Sequence, residues 1–243
     1  MKMLGKRVQK LGQLIDMVRN GEHAPDRHKN PYIIQSKTLK NELYTQREIL
    51  SKTPIRKSKF EDIFANFKND IILEVGSYYG HMLLDLSQNN PNLNFLGLDI
   101  TYKRVVKTAL KIQRAQLANC RVAMIDAQSF LSCMEKKEIL KGLCIFFPDP
   151  WPKDRHKKHR LLSNKFFETV FRVLKENGFI WIKTDCCSYY KEAISIALQN
   201  NFKQDQSSHE TPQEFTGGPY TSIFEKLFLS QKKKYYSIIL RKF

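Results

Sequence analysis

Pro148-Asp149-Pro150-Trp151-Pro152-Lys153-Asp154-Arg155-His156-Lys157-Lys158-His159-Arg160 follows directly on an apolar run, Leu143-Cys144-Ile145-Phe146-Phe147. The run reads as a buried strand. Just past the quoted stretch, Ser163 is placed to cap a helix that carries Phe166, Phe167, Val170, Phe171 and Leu174 at helical spacing. A carboxylate, a tryptophan and a dense basic cluster therefore lie between the carboxyl end of a strand and the start of a helix. In an open α/β sheet that edge is where ligands bind. The prolines stiffen the loop and block helix continuation, which suits a site more than a linker. A bare charge run would read as a solvated surface, but the prolines and the aromatic ring beside the carboxylate favour a site.

Outward from this loop the periodicity alternates between strand and helix. Strands are expected over 71–75, 93–98, 121–125, 143–147 and 179–183, with helices over 81–88, 102–117 and 189–198. The runs 223–229 and 235–241 read as two closing strands, the last antiparallel. Repeated βα units predict a mostly parallel sheet with helices on both faces, an α/β fold. Ahead of it, Phe60, Ile63, Phe64 and Phe67 form an apolar stripe leading into the core domain, and a short helix is expected near 39–49.

Glu74, Asp99, Asp126 and Asp149 fall at or just beyond the ends of expected strands. One such acid would be unremarkable, but four at one edge are hard to assign to solvation. Asp99 follows the turn at Gly76 by the roughly 20 residues at which a carboxylate can hold ribose hydroxyls. That spacing leaves open a nicotinamide dinucleotide or S-adenosylmethionine. The turn itself, Gly76-Ser77-Tyr78-Tyr79-Gly80, is not the G-x-G-x-x-G cradle of a pyrophosphate.

The stretch 148–160 closely resembles the signature of the tRNA (guanine-N7)-methyltransferases of the bacterial TrmB type. There Pro-Asp-Pro-Trp-Pro-Lys precedes an Arg/His/Lys-rich run. The resemblance extends from about residue 71 to the C-terminus. It implies a class I methyltransferase-like (Rossmann-like) fold, S-adenosylmethionine as methyl donor, and tRNA as substrate. By the same resemblance Glu74 and Gly76 line the methionine end of the cofactor, Asp99 holds the ribose, and Asp126 accepts from the adenine amino group. Asp149 becomes the active-site carboxylate, also in reach of the cofactor. Lys153 and Asp185 contact the substrate, while Arg155, Lys157, Lys158 and Arg160 hold the RNA backbone. A Thr-x-Phe/Tyr-Glu motif of the family falls on Thr221-Ser222-Ile223-Phe224-Glu225, with Ser222 or Thr221 in the threonine's place. Ser222, Ile223, Phe224 and Glu225 are then substrate contacts. A helix N-cap for Asp185 and an exposed strand charge for Glu225 are the competing readings.

The chain departs from the class I pattern Glu/Asp-x-Gly-x-Gly-x-Gly at Tyr78, where the middle glycine would stand. The expectation is that Tyr78 adopts an ordinary backbone conformation, with its ring turned away from the methionine path and the pocket retained. Trp151 is either an anchor packed into the core or a stacking surface for a base.

Composition agrees with a polyanionic partner. Of 243 residues, 41 are Lys or Arg and 24 are Asp or Glu, a formal net charge of +17. No apolar stretch approaches the roughly 18–20 residues needed to cross a bilayer. The five cysteines include no C-x-x-C pair and read as reduced thiols of a cytoplasmic protein, not as a metal site. Residues 1–58 form a basic N-terminal extension, read as RNA-contacting. Leu4, Val8, Leu11, Leu14, Ile15 and Val18 give its start helical periodicity. Residues 59–243 form the methyltransferase domain, as a monomer or homodimer. Two other functional readings stand beside this one. A catalytically weak or inactive RNA-binding protein on the same scaffold is motivated by Tyr78. An amino-group methyltransferase is disfavoured, because the order is Asp-Pro-Trp-Pro where such enzymes carry Asn/Asp-Pro-Pro-Tyr/Trp.

Overall fold

A computed structural model describes residues 32, 35–39, 41–50, 57–64, 66, 68–134, 138–205 and 211–243. The amphipathic periodicity at the N-terminus and Phe67 lie outside the described residues. In chain order the strands are β1 Leu43–Thr45, β2 Asp70–Val75, β3 Leu93–Asp99, β4 Cys120–Met124, β5 Leu140–Phe146, β6 Leu174–Thr184, β7 Phe202–Gln204 and β8 Tyr236–Lys242. The helices are α1 Gln46–Leu50, α2 Lys57–Ile63, α3 His81–Asn89, α4 Tyr102–Arg114, α5 Ala127–Ser132, α6 Asn164–Val173, α7 Cys187–Gln199 and α8 Ile223–Ser230.

The strands form one sheet in the order β1-β4-β3-β2-β5-β6-β8-β7. β1 through β6 pair in parallel, and β8 runs antiparallel to both β6 and β7. Alternate residues of each strand feed opposite faces. On one face Leu73, Leu98, Leu143 and Ile182 pack with Phe130, Phe166, Val170 and Tyr189 of α5, α6 and α7. On the other, Ile72, Phe95, Val122 and Trp181 pack with Leu83, Leu86, Val106 and Ile112 of α3 and α4. The near-continuous apolar reading of the central strands follows from this two-sided cover. Ser163 caps α6 as expected, its Oγ accepting from the Phe166 N–H at 3.3 Å.

Successive units lead from β2 through β3 to β4 on one side, and the chain then returns to place β5 against the other side of β2. That reversal opens a crevice at the carboxyl ends of the central strands. Among the described residues no helix is long and apolar enough to cross a membrane.

Two expectations are corrected. Residues 223–229 do not form a closing strand. They lie in α8, because Ser222 and Glu225 form a reciprocal capping box that satisfies the helix's first donors. The helix expected near 39–49 begins only at Gln46, and Leu43–Thr45 instead adds a parallel edge strand to β4. The sequence reading has no counterpart for α5 or β7.

Candidate active site at the carboxyl edge of the sheet

The ends of β2, β3, β4 and β5 converge on a recess of two adjoining compartments. The larger, of about 400 Å³, is lined by Asp99, Asp126 and Asp149, with Trp151, His159 and Phe224 closing its walls. The smaller is lined by Glu74, Ser77, Met82, Ser222 and Phe224, with Gly76 and Tyr78 shared by both. All four strand-end acids named from the sequence therefore meet in one place.

Each acid is held differently. Asp99 is buried, and its two oxygens accept from the backbone N–H groups of Thr101 at 2.8 Å and Tyr78 at 3.0 Å. Oδ2 also lies 3.8 Å from Nη1 of Arg104. Asp126 caps α5 by accepting from the Ser129 N–H at 2.8 Å through Oδ1. Asp149 is exposed at the cleft. Glu74 is buried, and its Oε2, like the nearby Ser77 Oγ, has no hydrogen-bond partner among the described residues. An orphaned buried carboxylate facing a recess is what an ammonium-bearing ligand would complete. Gly76 has φ +74°, and a side chain built there would meet nothing, so its bare backbone borders open space.

Burial pushes the Glu74 carboxyl up from about 4.5 to about 8, and the charge on Asp99 adds to the effect. The folded protein then keeps a proton that the unfolded chain releases. The associated stability is full below about pH 4.5 and is lost as pH rises through about 8. Urea unfolding of the ligand-free protein is therefore expected to give stabilities that decline across this window, by at most about 1.4 kcal/mol per pH unit. Glu74→Gln should flatten the decline. An unchanged slope would show that another group is responsible.

Tyr78 departs from expectation. Its φ is +53°, in the left-handed region, between Gly76 and Gly80 at +74° and +70°. The conformation costs on the order of 1–3 kcal/mol for a non-glycine residue. Several contacts hold it: the N–H bond to Asp99, the Arg104 guanidinium 4.5 Å above the ring, and the Tyr79 and Phe224 rings at 4.6 and 5.4 Å. The residue lines both compartments, and the recess remains open beside it.

The basic run divides. Residues Asp154–His159 form a short 3-10 helix on which Arg155, Lys157 and Lys158 are exposed, and Lys153 is exposed just ahead of it. Arg160 is buried, which removes it from the set of RNA-backbone contacts. It donates to the carbonyl of Pro150 at 2.7 Å, pairs with Glu192 on α7, and lies over the Tyr189 ring at 5.0 Å. Trp151 is not a core anchor, since it is 37% exposed beside the larger compartment.

The motif 221–225 is divided as well. Ser222, Ile223 and Phe224 line the recess, Ser222 while also forming the capping box, whereas Glu225 is spent on that box alone and does not line the recess. Glu225 is buried, and both its oxygens accept from Lys183 Nζ at 2.8 Å. It is neither an exposed strand charge nor a free acceptor for substrate. Asp185 is exposed and precedes α7, whose N-cap position is Cys186, so Asp185 is not the capping residue. Neither Asp185 nor Lys153 lines the recess. Lys183 belongs to none of the motifs read from the sequence. A lysine closing an otherwise apolar strand, set against an S-x-x-E segment, was the available signal.

Three comparisons place this architecture. The family model described as "Putative methyltransferase" matches residues 68–238. The tRNA (guanine-N(7)-)-methyltransferase of Chlamydia caviae is 33% identical over 178 residues, covering 72% of this chain and 79% of that protein. Its counterpart in Leptospira interrogans is 30% identical over 147 residues, covering 60% and 68%. Among solved structures, the aminoglycoside resistance methyltransferase NpmB1 superposes with a TM-score of 0.54 at 12% identity, covering 77% of this chain and 93% of that one. The 16S rRNA methyltransferase KamB gives 0.54 at 14% identity, covering 76% and 92%, and both likenesses establish the fold alone. With the fold, the strand-end acids and the proline-framed basic loop all in agreement, the chain belongs to the tRNA (guanine-N7)-methyltransferase family.

Proposed function

We propose that the protein transfers a methyl group from S-adenosylmethionine to N7 of a guanine in tRNA. The observation that carries the reading is the convergence of Glu74, Asp99, Asp126 and Asp149 on one recess bordered by an exposed basic loop. S-adenosylmethionine supplies an electrophilic methyl group on a sulfonium. Glu74 would partner its ammonium, with the bare backbone of Gly76 beside it. Asp99 would accept from ribose hydroxyls and Asp126 from the adenine amino group.

Guanine N7 has an available lone pair and no proton, so no general base is needed to form the nucleophile. The work left to the protein is placement. Asp149 can accept from the N1–H and N2–H₂ edge of guanine, and its charge favours the positive charge the base acquires. Arg155, Lys157 and Lys158, with Lys153 and Asp185 further out, would hold the RNA around the recess. The reading places the protein in the cytoplasm, as a monomer or homodimer. A non-catalytic scaffold is disfavoured, because Tyr78 leaves the recess open.

Incubation with labelled methyl donor and bulk tRNA, followed by nucleoside analysis, tests the reading. Label in 7-methylguanosine is expected, and label elsewhere or none overturns it. The basic loop carries its own prediction. Each neutralised phosphate contributes about 0.9 or less log units of affinity per log unit of salt. Replacing Lys157 and Lys158 with alanine should reduce the salt slope of tRNA binding by roughly one to two. An unchanged slope would return the loop to a solvated surface.

A further inference from the structure

Trp151 lines the recess, and the reading above gives it no task. Its partial exposure sets it apart from the chain's other tryptophan, Trp181, which is fully buried. Its backbone sits at φ +42°, in a region that bulky residues avoid. An arginine holds it there. Arg160 donates through Nε to the carbonyl of Pro150 at 2.7 Å and through Nη2 to the carbonyl of Trp151 at 3.4 Å. The same guanidinium pairs with Glu192 and lies over Tyr189, both on α7. A buried guanidinium spent on two consecutive carbonyls of a proline-framed loop fixes the loop to the body of the domain. The indole is also bounded by the rings of His156 and His159, at 5.7 and 5.5 Å. The result is a large aromatic surface kept at the cleft wall beside Asp149, where simple packing would have buried it.

The chemistry of N7 methylation gives such a surface a purpose. The N7 lone pair forms the new N–C bond while the C–S bond breaks, and its electron pair stays on sulfur. No proton moves. The positive charge passes from the sulfonium to the guanine ring, so the acceptor base becomes a cation during the step. An aromatic face attracts a cation more than the neutral ring of the same shape, and an interaction that strengthens along the reaction accelerates it.

We infer that Trp151, held in place by the Arg160–Glu192 clamp, is the stacking platform of the acceptor guanine and binds the methylated, cationic base more tightly than the neutral one. This rests on the methyl-transfer reading. Arg160 is then a positioning residue, and Trp151 a specificity determinant that touches substrate.

The test titrates the full-length protein, with S-adenosylhomocysteine present, against 7-methylguanosine 5′-monophosphate and guanosine 5′-monophosphate by calorimetry. The methylated nucleotide is expected to bind about 2- to 30-fold more tightly. Trp151→Leu, which keeps apolar volume and loses the π face, should abolish the preference, and Trp151→Phe should retain part of it. In single-turnover methylation at saturating tRNA, Trp151→Leu should slow the step by about 2- to 30-fold. S-adenosylmethionine affinity should change by less than about threefold in the same variant. Arg160→Lys keeps the charge but loses the fork, and should weaken the preference for the methylated nucleotide at unchanged cofactor affinity. Equal binding of the two nucleotides by the wild type, or a preference that survives Trp151→Leu, overturns the inference. Wild-type protein that methylates tRNA at N7 alongside an equally fast Trp151→Leu overturns the platform alone. Wild-type protein that forms no 7-methylguanosine overturns the functional reading and the platform together.

Discussion

Asp149→Asn is expected to slow methyl transfer by about 100-fold or more while leaving the fold unchanged. The side chain is exposed at the cleft, so replacing it with its amide disturbs no packed contact. Surface changes of this kind alter stability by no more than about 0.5 kcal/mol. The chemical change is larger. The carboxylate offers only acceptors to the N1–H and N2–H₂ donors of guanine, and the amide turns one of them into a donor that opposes the base. It also removes a negative charge that, in the proposed mode, faces the base as it becomes positive. Loss of one preorganised electrostatic group of this type lowers rates by roughly 100- to 1000-fold. Single-turnover methylation at saturating tRNA and methyl donor, together with the thermal midpoint, provides the check. Near wild-type rates would take Asp149 out of the mechanism, and a large fall in midpoint would give it a structural role instead.

The second large effect is expected at the pair Lys183–Glu225, which ties the end of β6 to α8. Both side chains are about 3% exposed, and Lys183 Nζ also donates to the carbonyl of Tyr220 at 3.1 Å. Its ammonium lies 4.5 Å above the Trp181 ring. Removing one partner strands a buried charge, which costs about 3–5 kcal/mol. Glu225→Ala also removes the carboxylate half of the capping box, which accepts from the Ser222 N–H. In a chain of this size each kcal/mol lowers Tm by roughly 2–4 °C, so a fall on the order of 10 °C is expected for either Lys183→Met or Glu225→Ala. Because α8 carries Ile223 and Phe224 into the recess, methyl-donor affinity should fall along with stability. The double variant Lys183→Met/Glu225→Leu separates the causes. It leaves no unpaired charge and should recover most of the thermal midpoint. Single variants as stable as wild type, measured by calorimetric scanning, would show that the pair is not needed to seat α8.

These two expectations differ in how far the sequence could have led to them. Asp149 was legible because its surroundings are local. An apolar strand, three prolines and a basic run surround it within a few residues, and the position of a strand end follows from the run that precedes it. Asp99 and Asp126 were legible for the same reason. The central strands were also plain, because burial on both faces demands unbroken apolar runs. The edge strands β1 and β7 span three residues each and carry no comparable pattern. α8 was misread although its capping box stood in the sequence. The apolar residues 223, 224, 227, 228 and 229 fit either period, and the box decides the outcome only when Glu225 is known to be buried against Lys183.

Arg160 shows the limit most directly. In the sequence it is one cation in a run with Arg155, Lys157 and Lys158, and nothing local distinguishes it from them. Its partner Glu192 lies 32 residues away, and only the packing of α7 against the loop brings the two together. Tyr78 is similar. The sequence shows a tyrosine in place of a glycine, and local sterics argue for an ordinary backbone. The left-handed conformation is sustained by Asp99, Arg104 and Phe224, which come from three other elements. The sequence by itself determined the α/β class, the edge of the sheet where the recess opens, and the acids that line it, because each of these is written in short-range periodicity and spacing. Only the tertiary structure decided which cations face solvent, which are buried as clamps, and where the aromatic rings stand. Burial and pairing depend on residues distant in the chain, and a charge has opposite consequences in water and in a packed interior.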